Sequence, residues 1–359
     1  MKNIGFNLIF WLMLPVWTWA HMPEGRYKKE KIIEQTFVVD NNESVYIDNS
    51  YGNVNILTWN KQEVQIKVVI TVDGNDLDEV EDRLNSIKIE LFKNDYEITG
   101  ISHIEQVKSS WSLISLLFGK SNHTNFKINY EVHMPLDADL RLVNNYGNIY
   151  IDRLKGALDL NLDYGKFDIG ELLNENNRIK TDYLSQSHID FIKGGIIKSD
   201  YSKISINTAY RLQLNCDYTS IKINEIRSIY FNNDGGSIHI DKVKEVTGRG
   251  DYQTRYFGQV DYVDFKGDYG SVTIDGLLPE FDRINLNCDY TTIRIENNLQ
   301  VPYQLLINQE YGCFKYDKLE IYREINRNGD KKIEAYYQNK NAESYIKITE
   351  DYGCIKIYN

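Results

Sequence analysis

The feature that most constrains the fold is a short repeat, an Asp-Tyr pair followed by Gly, Ser or Thr and then by an apolar-x-apolar pattern. From Tyr146 onward the units recur every 17 to 21 residues, except for a last step of 41 residues, and Asp234-Gly235-Gly236 keeps the register between Tyr218 and Tyr252. The tyrosines of the repeat are Tyr51, Tyr146, Tyr164, Tyr183, Tyr201, Tyr218, Tyr252, Tyr269, Tyr290, Tyr311 and Tyr352. Such a period suits one β coil per repeat and is too short for ankyrin, tetratricopeptide or propeller units.

Within one unit, Leu212, Leu214 and Cys216 alternate with polar residues, which indicates a strand with one buried face. The three-residue step from Tyr218 to Ile221 breaks this alternation and predicts a turn, with positive φ expected at the glycine that often follows the tyrosine. The sequence therefore predicts an all-β, single-stranded β-solenoid (β-helix-like) with short coils of about 17–21 residues. The tyrosine rings are expected to point inward or to the corner.

The two ends of a solenoid need caps, because terminal coils expose unpaired edges. Residues 21–140 are predicted to hold a first coil around Tyr51 and an inserted β-rich cap with one short helix, which begins at Asp76. Residues 141–359 are predicted to hold the solenoid repeats. A hairpin excursion is expected at about 317–340, because Asn328-Gly329 separates two strand-like segments.

The first twenty residues predict an export signal. Residues 1–20 combine one lysine, an apolar run and a small residue, Ala20, at the expected cleavage position. No cysteine precedes Cys216, so a lipid anchor at this end is not expected. The predicted location is the periplasm, the outer envelope or the extracellular space, and the net charge of −11 argues against nucleic acid as a partner.

Three segments resemble the bacterial putative-adhesin domain family of β-strand-repeat proteins. They are Trp59 to Val64, Tyr130 to Pro135 and Asn145 to Ile149, in that order along the chain. The resemblance implies an exported β-solenoid and brings no catalytic residues with it.

The acidic residue before each tyrosine has two interpretations. Stacked carboxylates could bind Ca²⁺, but we favour hydrogen bonds from each carboxylate to turn amides within its own coil. The stacked tyrosines likewise suit either a sugar-binding surface or a scaffold, and we favour the scaffold. The residues are Asp163, Asp182, Asp200, Asp217, Asp234, Asp251, Asp268, Asp289, Glu310 and Asp351. No metal site, cofactor or catalytic residue is predicted.

The four cysteines occupy two kinds of repeat position. Cys313 and Cys354 both follow a Tyr-Gly pair in the last two units, so they are expected to stack at strand spacing and to form a disulfide. Cys216 and Cys288 occupy the inward position of distant coils and are expected to remain buried thiols.

One predicted loop is apolar, unlike most loops. It has two interpretations, a cover for the open end of the core or an exposed contact site for a membrane or a protein partner. Its candidate binding residues are Trp111, Leu113, Ile114, Leu116, Leu117 and Phe118.

The function we predict is that of a non-enzymatic, exported structural or binding protein of the cell envelope or surface, with a protein or glycan partner. The alternatives are a carbohydrate-active β-helix enzyme and a self-assembling envelope scaffold. An enzyme of that kind should show a local break in the repeat with clustered Asp, Arg or Lys, whereas the acids here recur at one position in nearly every unit.

Overall fold

The computed structural model describes residues 25–40, 43–105 and 124–359. In this part of the chain, 24 strands join one large, mostly parallel sheet, accompanied by one α-helix. The all-β class and the short helix are therefore confirmed. The predicted signal peptide, residues 1–20, lies outside the described residues. No helix of the described part is long and apolar enough to cross a membrane.

The first repeat lies near the N-terminal end of the described chain, where antiparallel strands extend the sheet. The elements are β1 (Tyr27–Val38), β2 (Ser44–Ser50), β3 (Val54–Trp59), β4 (Glu63–Gly74), α1 (Leu77–Ser86), β5 (Ile87–Lys93), β6 (Glu97–Ile104) and β7 (Asn125–Pro135). The first repeat is β2 and β3, with Tyr51 between them. Strands β6 and β5 add outward to β2, whereas β7, β4 and β1 add outward to β3.

The helix begins where the sequence indicates. The Asp76 side chain accepts the amides of Asp78 and Glu79 at 3.0 and 3.3 Å, which satisfies two of the free N–H groups at the helix start. Val80 is buried, and α1 packs on β1 and β4. The helix thus covers one face of the antiparallel extension.

The middle of the chain consists of repeats in parallel register. The strands are β8 (Leu140–Leu154), β9 (Leu158–Leu172), β10 (Asn177–Asp182), β11 (Gln186–Asp200), β12 (Lys203–Asn215), β13 (Ser220–Asn232), β14 (Ser237–Arg249), β15 (Thr254–Lys266), β16 (Gly270–Leu277), β17 (Arg283–Asp289) and β18 (Thr291–Glu296). Equivalent residues pair from repeat to repeat, so that Ile204 lies opposite Ile221 and Ile221 opposite Ile238.

The core is a set of apolar columns that run through these repeats. Ile204, Ile221 and Ile238 are each about 1% exposed, as are their equivalents in neighbouring repeats. Burying such a side chain stabilises a fold by about 1.5 to 3 kcal/mol. Since one repeat buries its apolar face only against the next, stability comes from the stacking of repeats.

The corner differs from the prediction in one respect. All eleven repeat tyrosines have φ between 48 and 62°, whereas Gly147, Gly165 and Gly270, which follow tyrosines, have no positive φ. The glycine is needed for space: a Cβ at Gly165 would lie 1.9 Å from the Gly147 carbonyl oxygen of the preceding repeat. Close approach between backbones, and not a left-handed conformation, selects glycine there.

The C-terminal repeats are stacked out of chain order. The strands are β19 (Tyr303–Glu310), β20 (Cys313–Tyr316), β21 (Glu320–Arg327), β22 (Asp330–Tyr337), β23 (Tyr345–Asp351) and β24 (Cys354–Tyr358). Strand β23 pairs with β17 on one side and β19 on the other, and β24 pairs with β18 and β20. The last repeat of the sequence is therefore inserted between the two repeats that precede it.

A hairpin adds two antiparallel strands to the sheet beyond this insertion. Strands β21 and β22 are antiparallel, and β22 also pairs with β19. Asn328 and Gly329 form the tip with φ of 53 and 97°, as expected for an Asn-Gly hairpin turn.

Candidate functional site

The repeat tyrosines form an exposed column at the corner, which we call the tyrosine ladder. Neighbouring rings stack with centroids 4.9 to 5.4 Å apart and nearly parallel planes. In stacking order the ladder is Tyr51, Tyr146, Tyr164, Tyr183, Tyr201, Tyr218, then Tyr252, Tyr269, Tyr290, Tyr352 and Tyr311. Each of these side chains is 45 to 68% exposed. The rings thus lie at the corner, which is one of the two predicted directions, and face solvent and not the core.

The carboxylates beside the ladder hold neighbouring repeats together. Asp217 Oδ1 accepts the amide of Asp234 at 2.9 Å, and Asp234 Oδ1 accepts the amide of Asp251 at the same distance. The same bond recurs from Asp182 to Asp289 and between Asp351 and Glu310. The prediction that each carboxylate bonds amides of its own coil is therefore wrong. In-register stacking at strand spacing brings the equivalent amide of the next repeat to the carboxylate.

These hydrogen bonds compensate the repulsion within the acidic column. Two charges about 4.8 Å apart repel by roughly 0.9 kcal/mol in water, whereas a hydrogen bond to a charged group contributes about 1.5 to 3 kcal/mol. Burial and the neighbouring Asp182 raise the pKa of Asp163, and Asp330 and Asp351 raise the pKa of Glu310. Within residues 25–40, 43–105 and 124–359, no group of three or more His, Cys, Asp or Glu side chains is arranged to hold a metal ion.

A second feature is a groove of about 990 Å³, which crosses successive repeats at the start of the strand segments that precede the repeat tyrosines. Its lining alternates cationic, acidic and aromatic side chains, among them Arg141, Arg178, Lys193, Arg211, Tyr210 and Tyr230. Lys193 lies 2.9 Å from Glu175, and this contact lowers the pKa of the Glu175 carboxyl. The guanidinium of Arg227 lies 5.2 Å from the centre of the Tyr210 ring.

The return turn below this groove is held by one asparagine. Asn177 Nδ2 donates to the carbonyls of Asn174 and Gly194 at 2.7 and 2.8 Å, and its Oδ1 accepts the amide of Leu158 at 3.2 Å. A buried amide with all these partners fixes three neighbouring repeats relative to one another.

The core behind the ladder contains a buried arginine that sequence analysis missed. Arg255 is fully buried, and its guanidinium lies 4.2 Å from the centre of the Phe265 ring. It donates to the carbonyls of Gly250 and Gln253. Burial lowers the pKa of Arg255 to about 10. The signal was present in the sequence, since Arg255 stands at an inward position where the adjacent repeats have Ile238 and Val272.

The four cysteines form one disulfide and two buried thiols. The structure joins Cys313 and Cys354 in a disulfide with Cα atoms 4.5 Å apart, and the two residues are direct partners of β20 and β24. Cys216 and Cys288 are free and buried, and burial raises the pKa of each thiol to about 12.

The apolar loop from Trp111 to Phe118 lies outside the described residues. The candidate contacts at Trp111, Leu113, Ile114, Leu116, Leu117 and Phe118 therefore remain predictions. The tyrosine ladder and the groove are the two surfaces of the described chain on which we base the functional argument.

Comparison with known proteins gives structural neighbours of low sequence identity. No protein-family model and no curated protein matches the sequence. A solved structure described as a putative cell adhesion protein from Clostridium sporogenes is 11% identical, with 91% of this chain and 99% of that chain covered and a TM-score of 0.20. A putative adhesin from Parabacteroides distasonis is 9% identical, with 91 and 97% covered and a TM-score of 0.34.

A third solved structure is described as a putative lipid binding protein, also from Parabacteroides distasonis. It is 11% identical, with 76% of this chain and 94% of that chain covered and a TM-score of 0.32. All three TM-scores are below 0.5, so these likenesses assign no function to this chain.

Proposed function

We propose that this chain is an exported, non-enzymatic binding protein of the cell envelope or surface, built as a β-solenoid, that holds a linear glycan across its repeats. The observation that supports this function best is the groove, which crosses the first strands of several parallel repeats and presents arginine, lysine and tyrosine side chains. A linear polymer that crosses the repeats meets a new polar or aromatic side chain at most steps of about 4.8 Å, since Arg141, Asp159, Arg178, Gln213 and Tyr230 occupy equivalent positions of successive repeats.

The chemistry of the groove suits a polar polymer. Tyr210 and Tyr230 are 42 and 38% exposed, and Arg178 and Arg211 supply hydrogen-bond donors. Glu175 and Asp159 supply acceptors in the same groove. Since the two signs of charge are interspersed, the groove favours a polyhydroxylated chain over a strongly anionic one.

Binding is tested with residues 21–359 on a glycan array, together with an assay for release of reducing sugar from each glycan bound. We expect binding of at least one linear glycan without hydrolysis. Turnover of any bound polysaccharide would replace this proposal with the enzyme alternative.

The groove itself is tested by substitution. Arg178→Ala, Tyr210→Ala and Arg211→Ala together should weaken binding roughly tenfold or more, because each removes a partner of the glycan. The matched control is Lys315→Ala, Tyr322→Ala and Lys347→Ala, which removes two cations and one exposed tyrosine outside the groove. Equal affinities of the two triple variants would place the binding surface elsewhere.

A further inference from the structure

The tyrosine ladder is interrupted at one repeat. Gly235 and Gly236 follow Asp234, where neighbouring repeats place a tyrosine after the aspartate. Gly235 has φ of 67°, close to the 48 to 62° of the tyrosines. The backbone corner is therefore kept at this repeat, and only the ring is lacking.

The exposure of the two flanking rings shows the effect of this interruption. Tyr218 and Tyr252 are 62 and 68% exposed, whereas ladder tyrosines that stack on both sides are 45 to 54% exposed. Tyr311, at the end of the ladder, is 62% exposed. Each of the two flanking tyrosines thus has one ring face open to solvent. The two open faces lie on the two sides of the repeat that contains Gly235.

The slot between the two rings is about one ring thick. Tyr201 to Tyr218 and Tyr252 to Tyr269 are single steps of 5.2 and 5.0 Å, so the two steps from Tyr218 to Tyr252 span about 10 Å, which leaves space for one six-membered ring. The floor is Gly235, which is buried against the Tyr218 ring; a Cβ added there would lie 2.8 Å from that ring.

The rim of the slot supplies hydrogen-bond acceptors. Asp217, Asp234 and Asp251 each use Oδ1 to accept an amide of the next repeat. Their Oδ2 atoms make no hydrogen bond or ion pair within the described residues of the chain. The buried guanidinium of Arg255 interacts with Asp234 and Asp251 and offsets part of the negative charge.

We propose that this slot, which lies at the corner and apart from the groove, holds one pyranose ring of a glycan between the faces of Tyr218 and Tyr252. The C–H bonds of the sugar carry slight positive charge and pack on the negative faces of the two rings. The sugar hydroxyls donate to the free carboxylate oxygens at the rim. Anionic groups are disfavoured there by the three carboxylates. This assignment rests on the proposed glycan-binding function and adds to the groove a second contact, at the corner, that selects a neutral sugar unit.

The decisive variant is Gly235→Tyr, which completes the ladder. The φ of Gly235, 67°, is close to that of the eleven tyrosines, and the Tyr218 ring must shift to admit the new Cβ, which would lie 2.8 Å from it. We expect folding to be kept and affinity for the glycan identified on the array to fall roughly tenfold or more, because the new ring fills the slot. Tyr252→Ala removes one wall without adding bulk and should weaken binding as well, which keeps the test valid if Gly235→Tyr does not fold.

A spectroscopic readout separates the slot from the groove. Protons of a sugar held between two tyrosine faces should shift upfield by ring currents in NMR spectra of the bound glycan, and Gly235→Tyr should abolish that shift. Tyr146→Phe, which keeps its ring in an uninterrupted part of the ladder, is the matched control and should retain both affinity and shift.

The outcomes are distinguishable. If the wild-type chain binds no glycan, the proposed function and this inference both fail. If it binds a glycan whose affinity and spectrum are unchanged in Gly235→Tyr and Tyr252→Ala, the inference fails and the function stands. If an arginine-containing peptide binds the slot, is released by salt and is lost in Gly235→Tyr while glycan affinity is unchanged, the slot takes an organic cation and the inference is overturned.

Discussion

At the scale of single residues, the corner combines an unfavourable conformation with favourable stacking. A non-glycine residue with positive φ costs on the order of 1 kcal/mol or more, and every repeat tyrosine has this conformation. Each stacked aromatic pair contributes about 0.5 to 1.5 kcal/mol beyond burial. The ladder therefore offsets the strain of its own corners, but only where successive rings are in contact.

The glycine that follows the tyrosine is predicted to be intolerant of any side chain. Gly165→Ala should lower the free energy of unfolding by about 2 kcal/mol or more, because its Cβ would meet a backbone oxygen at 1.9 Å. Gly276→Ala is the control, since its Cβ would meet neighbours only at 3.4 and 3.6 Å. Urea unfolding of the two variants measures the difference, and equal losses would contradict the steric explanation.

The buried Glu350 predicts a pH dependence. Burial raises the pKa of this carboxyl although Gln309, Thr291 and Gly353 donate to it. The folded state then binds a proton more readily than the unfolded state, so the contribution of Glu350 to the free energy of unfolding increases as pH falls from neutral through the raised pKa. Glu350→Gln removes this titration.

The measurement is the difference in unfolding free energy between wild type and Glu350→Gln from pH 7 down to about 5, where an unperturbed glutamate begins to be protonated. The difference should shift in favour of the wild type as pH falls. A constant difference, or a shift in favour of Glu350→Gln, would show that the folded pKa is not raised.

Thiol chemistry tests the placement of the four cysteines. In the native protein without reductant, no thiol should react with a disulfide-exchange reagent, because Cys216 and Cys288 are buried and the pKa of each is about 12. Unfolding without reductant should expose two thiols, and reduction should expose all four cysteines of the sequence. Four reactive thiols before reduction would contradict the bond between Cys313 and Cys354.

At the scale of strands, the inserted repeat β23–β24 determines the stability of the C-terminal end. Strand β23 lies between β17 and β19 and pairs with both of them. A chain that ends at residue 340 leaves those strands with unpaired edges. We expect the backbone amides of β19, β20, β21 and β22 to lose most of their protection against hydrogen exchange. The protection of amides in the N-terminal repeats should not change. A chain that lacks only Asn359 is the control, and retained protection at β19 after truncation would contradict the pairing.

The disulfide joins the inserted repeat to the repeat before it in sequence. It closes a segment of 41 residues, for which loop entropy predicts a stabilisation of about 4 kcal/mol. Cys313→Ser with Cys354→Ser should therefore increase exchange in β20 and β24 before other strands. Cys216→Ser, a change at a buried thiol outside the disulfide, separates the effect of the bond from that of a serine in the core.

At the scale of the whole molecule, the edge strands oppose self-association of chains by strand pairing. In the described chain β1, β5, β20 and β21 each pair with a single strand and so lie at sheet edges, and all four carry charges, such as Lys31, Lys88, Lys315 and Arg323. Charged edge strands oppose pairing with a second chain. We expect residues 21–359 to have the mass of a monomer in light scattering.

The edge is tested by neutralising it. Lys31→Val with Glu34→Val should promote association, because an exposed edge then presents apolar side chains beside free backbone groups. Lys222→Val with Glu225→Val makes the same changes on β13, whose backbone is paired on both sides, and should not associate. Association of the wild-type chain would instead support the scaffold alternative.

The sequence by itself determined the repeat, because alternation of apolar residues and a constant period reflect which side chains each repeat buries. It also indicated the helix start at Asp76 and the hairpin tip at Asn328, which depend on residues close together in the chain. Only the tertiary structure decided the carboxylate bonds between repeats and the insertion of β23–β24. Each of these depends on which repeat stacks on which, and equivalent repeats make several stacking orders compatible with one sequence pattern. The Asp-Tyr corner could thus be predicted from the sequence, whereas the slot at Gly235 is recognised only from the stacked tyrosine rings on either side of it.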